Sequence, residues 1–325
     1  MNIRHLITFL SLFLFNLSLQ AATIPDPVVD TAWLAKNINS VAILDVRKDL
    51  KSFTAKPAYK KDKKTGKLKL VRVGGHIAGA RLVNYKKIRA KKKINGKTVT
   101  RMLPAKADFE KLMQAAGLNK NSSVVIVTKG QSGGDMTIAT RMYWQLKYYG
   151  HTDMAILDGG MAQWLKDGNK VSTKPAKGGN GNWVASAENK SILATSDDVA
   201  KAVKDSNVQL IDTRALSQYL GTYYKKSYVY DKGHIPTAKT FPYELLTYAS
   251  SPATFTPSND LASLATEFGL DTQKPAITYC NSGHLASGAW FVMSEVMGNK
   301  QAKLYDGSMH QWTLEKRPTT AMKME

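Results

Sequence analysis

The stretch Val41-Ala-Ile-Leu-Asp45-Val-Arg47 recurs further along the chain as Val208-Gln-Leu-Ile-Asp212-Thr-Arg214. Each copy is a short apolar run that ends in an acid and, two residues later, an arginine. Two more pairs recur in the same order, Gly75-His76-Ile77 with Gly233-His234-Ile235, and Leu157-Asp158-Gly159 with Tyr305-Asp306-Gly307. The offsets shorten from 167 to 158 to 148 residues, so the first copy carries the extra length. These ordered matches predict a duplicated domain.

Short apolar runs alternate with helical segments in both copies. The runs are apolar on both sides of their alternation, which is typical of strands in a parallel sheet that helices cover on both faces. The predicted strands are 41–46, 124–128 and 154–157 in the first copy, and 208–212, 276–279 and 302–305 in the second. The sequence therefore predicts an α/β fold of two tandem domains, each an open, mostly parallel sheet with helices on both faces.

The chain length of 325 residues accommodates two such domains, each large enough to bury its own core. With 43% hydrophobic and 22% charged residues, the composition excludes a disordered chain and a disulfide-stapled mini-protein. We expect the first domain at 27–172 and the second at 191–317. The stretch 173–190, rich in Gly, Asn, Ala and Lys, is predicted to link them.

Residues 1–22 have the pattern of a secretory signal peptide. Arg4 gives a positive start, the run from Leu6 to Leu19 is almost wholly apolar, and small residues follow at Ala21 and Ala22. An uncleaved membrane anchor needs about 20 apolar residues, which is more than this run contains. We therefore expect cleavage after Ala21 or Ala22, export to a bacterial periplasm and a mature chain without a transmembrane segment.

The formal net charge of +21 is concentrated in one region. Between Arg47 and Lys106 there are 21 Lys and Arg residues against two acids, Asp49 and Asp62, a local balance of +19. Three interpretations stay open: a solvated basic surface on insertion loops, a funnel that concentrates small anions, or a docking face for an acidic protein or anionic lipid. Nucleic-acid binding is not expected of an exported chain, and this stretch has few interleaved aromatic residues.

The chemistry is expected at Cys280, the single cysteine of the chain. It follows the predicted strand 276–279, and the polar loop Asn281-Ser-Gly-His284 separates it from the next helix. Ligands of open α/β sheets bind at the carboxyl ends of the strands. Backbone N–H groups of the loop and the start of the helix favour a nucleophilic thiolate and an anionic substrate, and His284 is expected to add a positive or donor group. A buried, inert cysteine is the alternative.

Together these motifs resemble the tandem-domain rhodaneses, which are thiosulfate and mercaptopyruvate sulfurtransferases, over about residues 27–315. The resemblance rests on the Asp-x-Arg strand ends, the Gly-His-Ile segments, the Tyr-Cys-x-x-Gly loop and the Asp-Gly-x-x-x-x-Trp endings. It implies that Cys280 is catalytic and carries sulfur as a persulfide. It also implies that a loop wraps the persulfide, formed by Asn281, Ser282, Gly283, His284, Leu285 and Ala286. The first copy has Thr128 in place of the cysteine and is expected to be catalytically inactive.

The resemblance implies two further substrate-binding residues. Arg214 matches an arginine that holds the anionic substrate in related enzymes, and an ion pair with Asp212 is the alternative. His76 matches a first-domain histidine that approaches the cleft, and capping a loop beneath the sheet is the alternative. Gln218 stands where some members have a second arginine, which weakens a mercaptopyruvate-type clamp. Phosphatase chemistry of the Cys-x5-Arg type is not expected, because position 286 is alanine.

The expected activity is that of a thiosulfate sulfurtransferase. It would move a sulfane sulfur from a small anionic donor to a thiol, cyanide or protein acceptor, and mercaptopyruvate is less expected as the donor. The sequence has no Cys/His cluster with metal-ligand spacing, so neither a metal nor an organic cofactor is expected. A non-enzymatic periplasmic persulfide carrier for one partner protein is the alternative. A purely structural module with an unreactive Cys280 is the third interpretation.

Overall fold

The computed structural model describes residues 23–175, 178–186 and 188–323. The predicted signal peptide, residues 1–22, lies outside the described residues. In the first half the elements are β1 (Val28–Val29), α1 (Thr31–Asn37), β2 (Ala42–Arg47), β3 (Ala58–Lys61), β4 (Leu68–Arg72), β5 (Arg81–Asn84), β6 (Ala90–Ile94), β7 (Lys97–Met102), α2 (Lys106–Ala115), β8 (Val124–Val127), α3 (Gly133–Tyr148), β9 (Met154–Leu157) and α4 (Gly160–Lys166).

The second half repeats this order with fewer insertions. Its elements are β10 (Leu193–Ala194), α5 (Ser196–Lys204), β11 (Gln209–Asp212), α6 (Leu216–Leu220), β12 (Lys239–Thr240), α7 (Ser258–Glu267), β13 (Ala276–Tyr279), α8 (Ala286–Phe291), β14 (Ala302–Tyr305) and α9 (Ser308–Leu314). A π-helical turn, Val292–Val296, continues α8. Helix α5 begins with a capping box, in which Thr195 is the N-cap and pairs with Asp198.

The two sheets have the same strand order, which confirms the predicted duplication and fold class. The first runs β1-β9-β8-β2-β5 and the second β10-β14-β13-β11-β12, and the pairs within each sheet are parallel. In both sheets the strand that ends in Asp-x-Arg lies beside the strand that leads to the position of Cys280 or Thr128. The duplication therefore builds two equivalent strand-end loops, of which one contains the thiol.

One hydrophobic core spans the two halves, and each half has a further buried cluster of its own. Helix α3 packs against α8 across the domain boundary, and residues of both sheets, with Cys280 among them, belong to one buried cluster. Because α3 touches its own sheet on one side and α8 on the other, it is buried on nearly every face, including at Arg141. Side chains of the first domain consequently lie within reach of the loop that follows Cys280.

The lysine-rich region, interpreted from the sequence as insertion loops, contains regular β structure. Strands β3 and β4 pair as one antiparallel hairpin, and β6 and β7 as another. Asn95 and Gly96 have φ angles of 49° and 76° at the tip of the second hairpin, as a two-residue turn with left-handed residues requires. Lysines are adjacent on these strands, at 60–61 in β3 and 91–93 in β6. They keep the open strand edges soluble and interrupt the apolar alternation by which a strand is recognised.

The stretch predicted as a linker packs against the first domain. Trp183 is buried against Phe109, and its backbone N–H donates to the Leu118 carbonyl at 3.0 Å. Further along, the Asn189 backbone N–H donates to the Tyr148 carbonyl at 2.8 Å. The described part of this stretch is thus fixed to α2 and α3. Among the described helices, none is long and apolar enough to cross a bilayer.

Candidate active site

Cys280 follows directly after β13, at the carboxyl end of the sheet. Its side chain is 1% exposed, and the loop from Asn281 to Leu285 turns over it into α8. The Ser282 backbone N–H donates toward the Cys280 Sγ at 3.5 Å. The thiol therefore lies under a polar loop within the core, where a backbone donor faces the sulfur.

Ser308 fastens both ends of this loop. Its Oγ accepts hydrogen bonds from the backbone N–H groups of Cys280 at 3.1 Å and Gly283 at 3.0 Å, and donates to the Tyr305 carbonyl at 2.8 Å. Ser308 has a φ of 51°, a left-handed conformation that disfavours residues with a side chain. The corresponding residue of the first copy is Gly160, with a φ of 52°. The second copy accepts this strain and gains a hydroxyl that holds the loop.

Gly283 occupies a position that admits no side chain. Its φ is 67°, and a Cβ there would lie 2.7 Å from Asp306 Oδ1 and 2.8 Å from Arg141 Nη1. The glycine of the loop is thus required by backbone conformation and by the close approach of a charged pair.

Two arginines of the first domain bind the outer side of the loop. Arg89 donates through Nη2 to the Ser282 carbonyl. Arg141 donates through Nη1 to the Gly283 carbonyl at 3.1 Å and to Asp306 Oδ1 at 2.6 Å. The two arginines thus fix the loop through its Ser282 and Gly283 carbonyls. The Ser282 N–H that faces the sulfur belongs to the preceding peptide, whose Asn281 carbonyl accepts from the His310 N–H at 3.0 Å.

His284 does not supply the positive charge expected from the sequence. Its Nδ1 accepts from the Tyr85 hydroxyl at 2.5 Å, and its Nε2 lies 3.3 Å from Thr137 Oγ1. Burial, with the nearby cations Lys48, Arg89 and Arg141, holds the pKa of His284 well below its ordinary value. The imidazole is neutral and ties the loop to the first domain. Arginines of both domains lie near the thiol: Arg89 and Arg141 of the first bind the loop carbonyls, and Arg214 of the second interacts electrostatically with Cys280.

Arg214 lies within the second domain as half of a buried ion pair. Its guanidinium is fully buried, donates to the Asp212 carboxylate at 2.6 Å and to the Gly233 carbonyl at 2.7 Å. Arg47 makes the same contacts in the first copy, with Asp45 at 2.7 Å and the Gly75 carbonyl at 2.7 Å. Since both copies contain the pair, these contacts of Arg214 are those of the alternative interpretation, an ion pair with Asp212.

The contacts of His76, like those of Arg214, are repeated in the other copy. Its ring stacks on Phe53 at 3.7 Å, and its Nδ1 is 2.9 Å from the Phe53 carbonyl. His234 repeats this arrangement, stacked on Tyr219 at 3.9 Å and 2.7 Å from the Tyr219 carbonyl. The structure does not bring His76 to Cys280, and the pairing in both copies is that of a loop cap.

The remaining predicted loop residues lie beside Cys280. Asn281 donates through Nδ2 to Gln218 Oε1 at 2.7 Å, so Gln218 supports the loop as a neutral partner. Leu285 packs partly buried against the shared core. Ala286 begins α8, and its carbonyl accepts from Thr278 Oγ1 at 3.1 Å. Among the described residues there is no cluster of three or more His, Cys, Asp or Glu that could hold a metal ion.

A cleft of about 650 Å³ lies between the domains next to this loop. Its walls include Tyr85, Arg89, Tyr228 and His310, and each of these four contacts the loop. The His310 backbone N–H donates to the Asn281 carbonyl at 3.0 Å, and Tyr228 hydrogen-bonds Ser282. Burial raises the pKa of Tyr228 and keeps its phenol protonated at neutral pH. The cleft thus leads to the loop that follows Cys280.

Sequence reasoning missed Arg89, Arg141 and Ser308. Two of them carried a signal: Arg141 is the one charged residue in the largely apolar run Ile138 to Leu146, and Ser308 replaces the glycine of the first copy. Arg89 has no such signal, because it is one of many cations in the lysine-rich stretch and the sequence does not show which of them faces the protein interior.

A rhodanese-like domain signature matches residues 30–167 and 195–315, which is most of the chain. The two matched regions contain the two sheets and their covering helices. The chain belongs to the rhodanese family and consists of two tandem copies of its domain.

Two relatives align with nearly the whole chain. The "Putative thiosulfate sulfurtransferase" of Saccharopolyspora erythraea is 29% identical, over 88% of this chain and 92% of that protein. The "Sulfur carrier protein TtuD" of Thermus thermophilus is 26% identical, over 89% and 94%. Among solved structures, SseA from Escherichia coli, described as a 3-mercaptopyruvate sulfotransferase, matches with a TM-score of 0.68 at 23% identity, over 87% of this chain and 98% of that one. That structural likeness shows a shared fold.

Proposed function

We propose that this protein is a sulfurtransferase that moves a sulfane sulfur from a thiosulfate-type donor to a thiophilic acceptor through a persulfide on Cys280. The observation that carries the proposal is the position of the single cysteine at the end of β13, under a loop whose Ser282 N–H faces Sγ at 3.5 Å. Membership of the rhodanese family supports the reaction type.

The proposed cycle has two displacements. The Cys280 thiolate attacks the outer sulfur of thiosulfate, the sulfur–sulfur bond of the donor breaks, and sulfite leaves with its electron pair. An acceptor nucleophile then attacks the outer sulfur of the persulfide, and the bonding pair returns to Cys280 Sγ. The loop amides and the nearby arginines favour the anions that enter and leave. No cofactor has a role in this cycle.

Thiosulfate is the donor we favour. The relative from Saccharopolyspora erythraea is named "Putative thiosulfate sulfurtransferase", which supports thiosulfate as the donor. Gln218, which binds Asn281 at the loop, is neutral where a second arginine would be needed to clamp a carboxylate donor.

The test is the intact mass of the purified mature protein after it meets thiosulfate and then cyanide. A gain of one sulfur atom, its loss with release of thiocyanate, and no gain in Cys280→Ser would support the cycle. Stable gain with little transfer to small acceptors would favour a carrier for a partner protein. No gain from thiosulfate or mercaptopyruvate would sink both.

We further propose that the protein acts in the periplasm after removal of residues 1–22. Expression of the full chain and of a chain lacking 1–22 tests this directly. Only the full chain should reach the periplasmic fraction, and its N-terminal residue there should be Ala22 or Thr23. Equal recovery of both chains from the cytoplasm would refute the export.

A further inference from the structure

The cleft beside the catalytic loop has an uneven charge. Of the described residues that line it, none is acidic. One wall bears four cations of the first domain, and the other bears two tyrosines of the second. These residues are Lys86, Arg89, Lys91 and Arg101, facing Tyr228 and Tyr230. A concave surface with one sign of charge concentrates ligands of the opposite sign.

Arg101 is held in this cleft by a strained backbone. It has a φ of 64°, in the left-handed region that arginine rarely adopts, opposite a register shift between Ala90 and Lys92 in the β6–β7 hairpin. Arg89 Nε donates to the Arg101 carbonyl at 2.7 Å, and the Arg101 guanidinium lies 4.0 Å from the centre of the Tyr228 ring. Backbone strain of this kind persists at sites where geometry matters for function.

The charged wall is connected to the thiol. Arg89 binds the carbonyl of Ser282, and Tyr228 hydrogen-bonds the same residue, which is two positions from Cys280. Cys280 itself is 1% exposed, so a macromolecule cannot bring its own surface to the sulfur. What enters must be slender and must carry a nucleophile at one end.

The size and charge of the cleft select a class of molecule. Its volume of about 650 Å³ lies in the ordinary range of small-molecule sites, roughly 300–1,000 Å³, and far exceeds the needs of thiosulfate or cyanide. Arg89 and Arg101 are held in the wall by hydrogen bonds and a ring contact, and Lys86 and Lys91 are exposed beside them. Four cations on one wall suit more than one carboxylate, and the tyrosines suit the carbon chain between them.

We infer that this cleft is an acceptor site for small organic thiols that carry two carboxylates. The inference rests on the proposed sulfur transfer and names its acceptor class. The acceptor thiolate attacks the outer sulfur of the Cys280 persulfide. The bond between the two persulfide sulfurs breaks, its electron pair returns to Cys280 Sγ, and the acceptor leaves as an organic persulfide that retains both carboxylates. Arg101 and Lys91 hold the carboxylates away from the sulfur.

The experiment compares two thiols of similar size as acceptors for the preformed persulfide. Mercaptosuccinate carries two carboxylates and thioglycerol carries none. The variant Arg101→Asn/Lys91→Gln removes two charges while asparagine tolerates the left-handed φ. We expect the rate ratio of mercaptosuccinate to thioglycerol to fall about tenfold in this variant, and to fall similarly for the wild-type protein at high salt. Arg101→Lys with Lys91 intact should retain most of the ratio.

Lys60→Gln is the matched control, because Lys60 is an exposed lysine on the other hairpin, outside this cleft. It should leave the ratio unchanged. An unchanged ratio in the double variant would overturn the inference, as would an equal loss in Lys60→Gln, which would indicate only the net charge of the protein. Sulfur loading from thiosulfate is measured in the same samples. If wild-type Cys280 takes up no sulfur, the proposed function fails; if it does and the ratio is insensitive to both charges, only the acceptor class fails.

Discussion

The loops that follow β8 and β13 are anchored by equivalent backbone hydrogen bonds but carry different chemical groups. Met161 N–H donates to the Thr128 carbonyl at 2.8 Å, and Met309 N–H donates to the Cys280 carbonyl at 3.0 Å, so the two turns are anchored alike. In the first copy the Asp135 carboxylate accepts from the Gln131 N–H at 3.1 Å. A backbone N–H of the first loop is thus already bound to a nearby carboxylate.

The surroundings of the two loops differ as well. Tyr85 and Arg89 approach the second loop from the first domain, whereas the repeat places Tyr243 and Thr247 beside the first loop. The comparison teaches that the fold supplies a turn at a strand end and little more. In the second copy that turn also holds a thiol, a hydroxyl at Ser308 and cations from the other domain, which are the groups that the proposed reaction uses.

The largest effect is expected from moving the thiol between the loops. Cys280→Ser should abolish sulfur uptake, and adding Thr128→Cys to it should not restore uptake, because the first loop has its own carboxylate and no arginine partner. Intact mass after thiosulfate treatment measures both. Sulfur uptake by the double variant would show that the fold alone suffices and would break the comparison.

The next largest effect is expected from the ion pair between the domains, Arg141 with Asp306. Arg141→Met should destabilise the protein by about 3–5 kcal/mol, since it leaves the Asp306 carboxylate, 3% exposed, without its cation. Urea unfolding measures this free energy. Arg141→Met with Asp306→Asn removes both charges and should recover part of the loss. If the single and double variants are equally unstable, the ion pair does not couple the domains.

Ser308 offers a sharper comparison, because the first copy has glycine there. Ser308→Gly should relieve the left-handed strain and Ser308→Ala should not, so alanine should be less stable than glycine by about 1 kcal/mol. Both lose the acceptor for the Cys280 and Gly283 N–H groups, and turnover should fall about tenfold in each. Parallel unfolding and thiocyanate assays separate the two effects. Full activity in either variant would make the hydroxyl dispensable.

The smallest effect is on the pH dependence of stability. The depressed pKa of His284 means that the unfolded chain binds a proton below about pH 6.5 that the folded chain does not. Its contribution to stability is therefore complete above that pH and is lost as the pH falls, by at most about 1.4 kcal/mol per pH unit. The free energy of unfolding of His284→Gln, measured between pH 5 and 7, should vary less steeply. The first copy has Ser132 at this position and contributes no such slope. An identical slope in the variant would place the titration elsewhere.

The sequence predicted the duplicated sheets well, because apolar runs at strand spacing report burial in each copy separately. It also predicted the position of Cys280 and the loop. It could not assign Arg141 or Arg89 to the loop, because their partners are about 140 and 190 residues away in the chain. Arg214 and His76 were interpreted as functional from their positions in the motifs. Their contacts are repeated in the other copy, those of Arg214 at Arg47 and those of His76 at His234.

The near-complete enclosure of Cys280 has a practical consequence for handling the protein. An intermolecular disulfide requires the two Cβ atoms to approach within about 4 Å, which two folded copies cannot achieve when the side chain is 1% exposed. Covalent dimers can therefore form only from molecules that have opened. Under non-reducing electrophoresis, the fraction of dimer would record how much of a stored or heated sample has lost its native structure.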